Sequence, residues 1–172
     1  QLFYTRAQDG MVHHTYLTNT NSWADNWLTP NAPKMKSPAY STSTGLDVAS
    51  QNGSKVYYAA ANKLIYRMYW QSNGGWNYEG TSTNIHSKAR YDTEIHNTGQ
   101  TIFYVRYDGR FLYQTKVGTN WEVNWLNPDA PLAQEGSGFA VVPQMNNNIF
   151  YVGQDKFIYR LHWQSGTGWT YE

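Results

Sequence analysis

The chain has 172 residues and a mass of 19.8 kDa, room for one domain or two very small ones. Lys and Arg number 13 against 12 Asp and Glu, a net charge of +1. A dedicated nucleic-acid binder needs a basic surface to neutralise phosphates, so the near-balance argues against that class. Cysteine is absent, which excludes a disulfide-stapled fold, a thiolate zinc site and a cysteine nucleophile.

Aromatic residues make up 17% of the chain and charged residues only 15%, with a mean hydropathy of −0.70. Rings separated by Asn, Ser, Thr and Gly point to an all-β protein. Aromatic and β-branched side chains fit a pleated surface, and Gly and Asn serve turns. No stretch approaches the ~18 consecutive apolar residues of a membrane span, so membrane insertion is not expected. No basic-then-apolar leader opens the chain. Gln1 fits either a processed N-terminus or an arbitrary start, and a secreted or extracellular setting is favoured over the cytoplasm.

The first strand predicted is Leu2-Phe3-Tyr4, followed by a turn at Asp9-Gly10, a second strand, and Trp23 opening the segment WADNWLTPNAP to Pro33. A small, apolar strand, Thr44 to Ala49, precedes Val56-Tyr57-Tyr58. Lys63 to Trp70 alternates loosely at period two, and a Gly-containing turn leads to Trp76 and Glu79. Ala89 to Ile95 takes the place of the preceding strand before Ile102-Phe103-Tyr104, the turn Asp108-Gly109 and the segment Trp121 to Pro131, WEVNWLNPDAP. Gly138 to Val142, Ile149-Phe150-Tyr151, Lys156 to Trp163 and Trp169 to Glu172 complete the chain. No helical stripe with caps appears.

These elements repeat. Val56 to Glu79 and Ile149 to Glu172 align without a gap and about half their positions are identical. The segments beginning at Leu2 and Ile102 form a second pair. All four units share the aromatic-Tyr strand and one Trp, at Trp23, Trp76, Trp121 and Trp169. Their spacing of about 45 to 55 residues is that of propeller blades. The expected fold is all-β: a single β-propeller-like domain over 1–172, built from about four repeats of four-stranded antiparallel blades. The units run from about 1–33, 44–80, 88–131 and 137–172. Each blade runs from an inner strand through the FY and IYR strands to the Trp strand. The first blade lacks its inner strand. It is three-stranded, or a neighbouring subunit completes it, or the chain is a fragment. The fallback is a sandwich or barrel of short strands.

The strongest binding candidates are the duplicated Arg67, Trp70, Gln71 with Trp76, and Arg160, Trp163, Gln164 with Trp169. An aromatic wall with a few placed polar groups suits a sugar, whose apolar face stacks on a ring. The bland reading is that the Trp rings pack blade on blade and that Arg67 pairs with Glu79. Arg67 and Trp70 face opposite sides of a regular strand and need not share a pocket. Trp27 and Trp125 are further candidates, each followed by Leu and Pro where a blade ends and turns to the next. Those segments also read as plain connectors.

Catalytic and metal signals are weak. His13, His14, His86, His96 and His162 form no ligand spacing, and His13 and His14 point to opposite faces of a strand. Asp47, Asp92 and Glu94 could furnish a glycosidase carboxylate pair, but an active site is single whereas these units repeat. No catalytic residue, metal or cofactor is therefore expected. Asn52-Gly53-Ser54 fits a glycosylation sequon.

The strings Asn62-Lys63-Leu64-Ile65-Tyr66 to Trp76 and Asp155-Lys156-Phe157-Ile158-Tyr159 to Trp169 resemble sugar-binding β-propeller lectins, the fucose-binding type of fungi and soil bacteria and the seven-bladed bacterial type. The resemblance implies non-enzymatic, metal-independent, multivalent glycan binding in pockets between blades, with at least two equivalent sites per chain. The partners implied are glycans on glycoproteins, glycolipids or cell surfaces, and a homo-oligomer that completes the ring. The fucose-binding type surrounds each sugar with an Arg, a Glu and a Trp. The strand where the Glu is expected reads Tyr66-Arg67, Tyr159-Arg160 and Tyr113-Gln114, a departure that implies a different binding mode. The alternatives are a glycoside-hydrolase-like propeller, marked by two acids without counterparts in other units, and a protein-interaction scaffold, marked by a broad exposed aromatic patch.

Overall fold

A computed structural model describes residues 2–6, 9–35, 46–48, 55–81, 88–90, 93–99, 101–142 and 148–172, without the side chains of Trp27 and Asp47. Every regular element among the described residues is a strand. The first sheet holds β1 (Leu2–Thr5), β2 (Val12–Leu17) and β3 (Trp23–Trp27). The second holds β4 (Leu46–Val48), β5 (Lys55–Ala59), β6 (Ile65–Gln71) and β7 (Gly75–Gly80). The third holds β8 (Ile95–Asn97), β9 (Thr101–Val105), β10 (Phe111–Val117) and β11 (Asn120–Trp125). The fourth holds β12 (Phe139–Val142), β13 (Asn148–Val152), β14 (Ile158–Gln164) and β15 (Gly168–Tyr171). Each is an antiparallel meander in chain order. The first sheet has three strands, as the sequence implies.

One boundary differs from the sequence reading. The inner strand of the third sheet is Ile95–Asn97, whereas Ala89 makes only an isolated bridge to Arg106. The backbone amide of Ala89 donates to the carbonyl of Lys63 in the second sheet. That segment therefore ties two sheets together before the inner strand begins. The sequon 52–54, His86 and Asp92 lie outside the described residues.

A shared turn explains the recurring Asp or Asn. The side chains of Asp9, Asn62, Asp108 and Asp155 each accept a hydrogen bond from the backbone amide two residues on, at 2.8 to 3.2 Å. The next residue adopts positive φ: Gly10 at 69°, Lys63 at 67°, Gly109 at 89° and Lys156 at 71°. Asx side chains fix such turns locally, so each hairpin is set before it packs. The price at Lys63 and Lys156 is a left-handed conformation that non-glycine residues seldom take.

The core is three interfaces between neighbouring sheets. Val12, Leu28 and Met35 of the first sheet and its following connector pack on Val56, Tyr58 and Met68 of the second. Tyr57 and Ile65 pack on Ile102, Tyr104 and Leu112 of the third. Phe103, Phe111 and Leu126 pack on Phe139, Ile149, Tyr151 and Leu161 of the fourth. The proline segments are pinned to this core: Tyr58 donates to the carbonyl of Pro33 at 2.9 Å, and Tyr151 to that of Pro131 at 2.8 Å. Burial raises the pKa of both phenols.

Candidate functional site

The ladders place equivalent residues side by side in every unit. Tyr57 of β5 stands opposite Arg67 of β6, which stands opposite Glu79 of β7. The same three positions are Phe3, His14 and Asn26 in the first sheet. They are Phe103, Tyr113 and Asn124 in the third. In the fourth they are Phe150, Arg160 and Glu172, the last two joined by reciprocal backbone hydrogen bonds. The rows of the first three sheets each face the following sheet, whose outer-strand Trp lies against them.

Between the second and third sheets this row is polar. The Arg67 guanidinium pairs with the Glu79 carboxylate at 2.7 Å. From the third sheet, the Lys116 ammonium donates to Glu79 Oε1 at 2.6 Å and the Trp121 indole N–H donates to the same oxygen at 3.1 Å. Arg67 lies 5.8 Å from the Trp121 ring centroid and 4.7 Å from that of Tyr69. Tyr57 meets Trp121 edge-on at 6.0 Å. A cleft of about 320 Å³ opens here, lined by Lys55, Tyr57, Arg67, Gly99, Lys116 and Gly118. Arg67 Nε is buried and has no partner among the described residues. Burial works against the Glu79 carboxylate, but the hydrogen bonds from Lys116 and Trp121 and the nearby Arg67 charge outweigh it, holding its pKa below the ordinary 4.5. The site thus offers an aromatic wall, a guanidinium edge and an ionised acceptor.

The two flanking junctions are filled by rings instead. At the first, His14 is stacked between Phe3 at 4.7 Å and Tyr16 at 5.1 Å, and Trp76 meets Phe3 edge-on at 5.7 Å. Desolvation lowers the His14 pKa below the ordinary 6.5, which suits a neutral ring in a stack. At the third, Trp169 packs on Phe103 at 6.0 Å and Tyr113 at 6.2 Å. His13, on the opposite face of β2 from His14, is buried with one ring nitrogen 3.2 Å from Asp9 and the other 3.2 Å from Asp25.

The residues singled out in the sequence distribute among these junctions. Arg67 and Trp70 lie on opposite faces of β6, as period two requires. Trp70 is 53% exposed and leans edge-on against Trp76 at 6.0 Å, facing the first sheet. Gly75, at φ 73°, lies 3.7 Å from the Trp70 ring by its would-be Cβ, so the hairpin seats that indole. Trp163 repeats this on Trp169 at 6.1 Å. Gln71 accepts from Asn77 at 3.2 Å, and Gln164 is exposed. Arg160 pairs with Glu172 on the outer face of the fourth sheet. Trp125 is 40% exposed with the Arg106 guanidinium 4.8 Å from its ring. The side chain of Trp27 is outside the described residues. The acid Glu94 contacts His96 at 3.4 Å and the Phe139 amide at 3.1 Å, while the side chain of Asp47 is not described. Glu79, Lys116 and Trp121 join Arg67 from three other strands. Their signal in the sequence was the cross-strand register of Arg67 with Glu79 and the recurring Trp of the next unit.

No family model matches the chain, and no curated protein matches it in sequence. Solved structures do. The lectin of Aleuria aurantia in complex with alpha-methyl-L-fucoside superposes with a TM-score of 0.62 at 15% identity, over 95% of this chain and 52% of that one. A structure described as a fungal lectin with a six-bladed β-propeller fold and a novel fucose recognition mode gives 0.61 at 16%, over 95% and 52%. AofleA from Arthrobotrys oligospora gives 0.64 at 16%, over 99% and 51%. The chain spans about half the length of these proteins. Its four sheets share the fold of fucose-lectin propellers over that length, without closing a ring.

Proposed function

We propose that the chain is a carbohydrate-binding lectin that recognises a sugar without catalysis, at the cleft between its second and third sheets. The observation that carries this reading is the half-buried Arg67–Glu79 pair beneath the Trp121 ring. Sugar hydroxyls donate to Glu79 and accept from the Arg67 guanidinium edge that lines the cleft. The apolar face of the sugar lies on Trp121 or Tyr57. The cleft volume falls at the small end of the roughly 300–1,000 Å³ typical of ligand pockets, which suits a terminal monosaccharide. An Arg, a Glu and a Trp, the residue types that the fucose-binding type sets around its sugar, lie together here, which supports the reading; the Glu is on the strand after the one where the resemblance would put it. L-fucose, the sugar of the structural neighbours' descriptions, is the first ligand to test. A hydrolase needs two carboxylates; the described residues that line this cleft include none, and Glu79 sits behind them, bonded to Arg67 and Lys116.

A glycan array with the purified chain tests the proposal. Binding to glycans with terminal fucose or a related sugar supports it, and no binding to any glycan at high protein density overturns it. Binding also has an expected pH profile. The Glu79 pKa is depressed in the folded chain, so its ionised form is present above about 4.5 and is lost only as pH falls through a lower value. Affinity measured by calorimetry is expected to be flat from neutral pH to about 4.5 and to fall below it. A fall centred above pH 5 would remove Glu79 from the site.

A further inference from the structure

The cleft between the second and third sheets differs from the junctions beside it in charge. Three of its lining residues are cations, Lys55, Arg67 and Lys116, and none is an acid. Lys55 stands opposite Tyr69, and Tyr69 opposite Asn77, in the row next to Tyr57, Arg67 and Glu79 and on the same face. No carboxylate pairs with Lys55 among the described residues. Lys116 reaches the cleft from β10, its ammonium 5.4 Å from the Trp121 ring centroid. Arg67 and Lys116 share one carboxylate, Glu79. Asp47 stands opposite Tyr57 at the inner end of the row. With both acids counted, the three cations Lys55, Arg67 and Lys116 still outnumber them. The corresponding positions at the other junctions carry rings or hydroxyls. Lys116 pairs in register with Trp121 as Trp70 does with Trp76 and Trp163 with Trp169. Arg67 stands where the first and third sheets have His14 and Tyr113. Thr101 takes the place of Lys55 in the third sheet and bonds to Thr115 at 3.0 Å. In a chain of net charge +1, this gathering of cations is local to one cleft.

We infer that the glycan seated over Trp121 is acidic: it carries a carboxylate or a sulfate ester, on the bound sugar or on the sugar linked to it, and that group lies between Lys55 and Lys116. That Trp121 carries a sugar rests on the function proposed above; the preference for an anion rests on the three cations. Like charges held around one carboxylate repel one another, and an anion from outside relieves that repulsion. Lysine suits either group, because its ammonium is a compact point charge without the planar fork of arginine, and Arg67 is already paired with Glu79. Gly99 and Gly118 also line the cleft, and no atom of the described residues lies within 4 Å of the place a Cβ would take at either. Space therefore remains beside the cations for a substituent on the sugar.

The test is calorimetric titration of the purified chain with matched neutral and acidic glycans. One set is the Lewis x trisaccharide with its sialylated and sulfated forms; the other is galactose with galacturonate and galactose sulfate. At least one acidic form is expected to bind about tenfold more tightly than its neutral parent at low salt, the gain of one charge-assisted contact. That gain is expected to shrink as salt is raised. The arm that leads, carboxylate or sulfate, identifies the group. Lys55→Gln is expected to reduce the acidic-to-neutral ratio to about threefold or less. Lys34→Gln makes the same charge change at an exposed position on the connector after the first sheet and is expected to leave the ratio unaltered. Neutral and acidic forms that bind equally, or a ratio that falls as far in Lys34→Gln as in Lys55→Gln, overturn the inference and leave the lectin reading standing. Inorganic sulfate is the last probe, read at the Trp121 indole resonance. A shift with sulfate and no binding of any glycan would sink the lectin reading and keep the cleft as an anion site. No binding of any glycan or of sulfate overturns both.

Discussion

Replacing Glu79 by glutamine is expected to weaken sugar binding by roughly 10- to 150-fold while leaving the chain folded. The figure follows from the group's role. A hydrogen bond to an ionised partner contributes about 1.5–3 kcal/mol, and about 1.4 kcal/mol is one decade of affinity. Glutamine keeps the shape of the side chain but removes the charge that accepts from Arg67, Lys116 and Trp121. It also releases Lys116 and Arg67 from their shared counter-ion, so the loss falls on organisation of the cleft as well as on direct contact. Glu122→Gln, an exposed neighbour on the same strand as Trp121, is the control and should leave affinity unchanged. Calorimetric titration checks both. Equal affinities for wild type and Glu79→Gln would place the sugar elsewhere.

The largest stability effect is expected at Phe111, which is 3% exposed between the third and fourth sheets. Its ring lies 5.1 Å from Phe139 and 4.6 Å from Tyr151. Phe111→Ala removes that bridge and leaves a cavity, at a cost of about 3–5 kcal/mol. Ile158 holds the same repeat position on the fourth sheet but is 75% exposed. Ile158→Ala is expected to cost less than about 0.5 kcal/mol. Urea unfolding, with the slope checked for two-state behaviour, measures both. Similar costs for the two substitutions would contradict the sheet-on-sheet core.

How much of this was legible beforehand depends on the range of the interaction. The Asx turns at Asp9, Asn62, Asp108 and Asp155 are local, and the FY strands alternate at period two, so the repeat and its hairpins could be read directly. The Arg67–Glu79 pairing was also within reach, because a hairpin of known turn fixes register. The site itself was not. It joins Tyr57, Arg67 and Glu79 of one unit to Lys116 and Trp121 of the next, and the relation between sheets is set by packing that no short motif encodes. Trp70 and Arg67 are three residues apart yet open onto different junctions for the same reason. The half-identical strings at 56–79 and 149–172 suggested equivalent sites, but equivalence also needs the following sheet. Arg67 has one within the chain, and Arg160 does not among the described residues.

The central claim is that the sugar sits over Trp121, between the second and third sheets. With eight Trp in the chain, the indole N–H resonances give a direct readout once each is assigned by substitution. On titration with L-fucose, or with the best monosaccharide from the array, the Trp121 indole resonance is expected to shift most, because its N–H is bonded to Glu79. A Trp70 or Trp125 resonance that moves while Trp121 stays still would contradict the account.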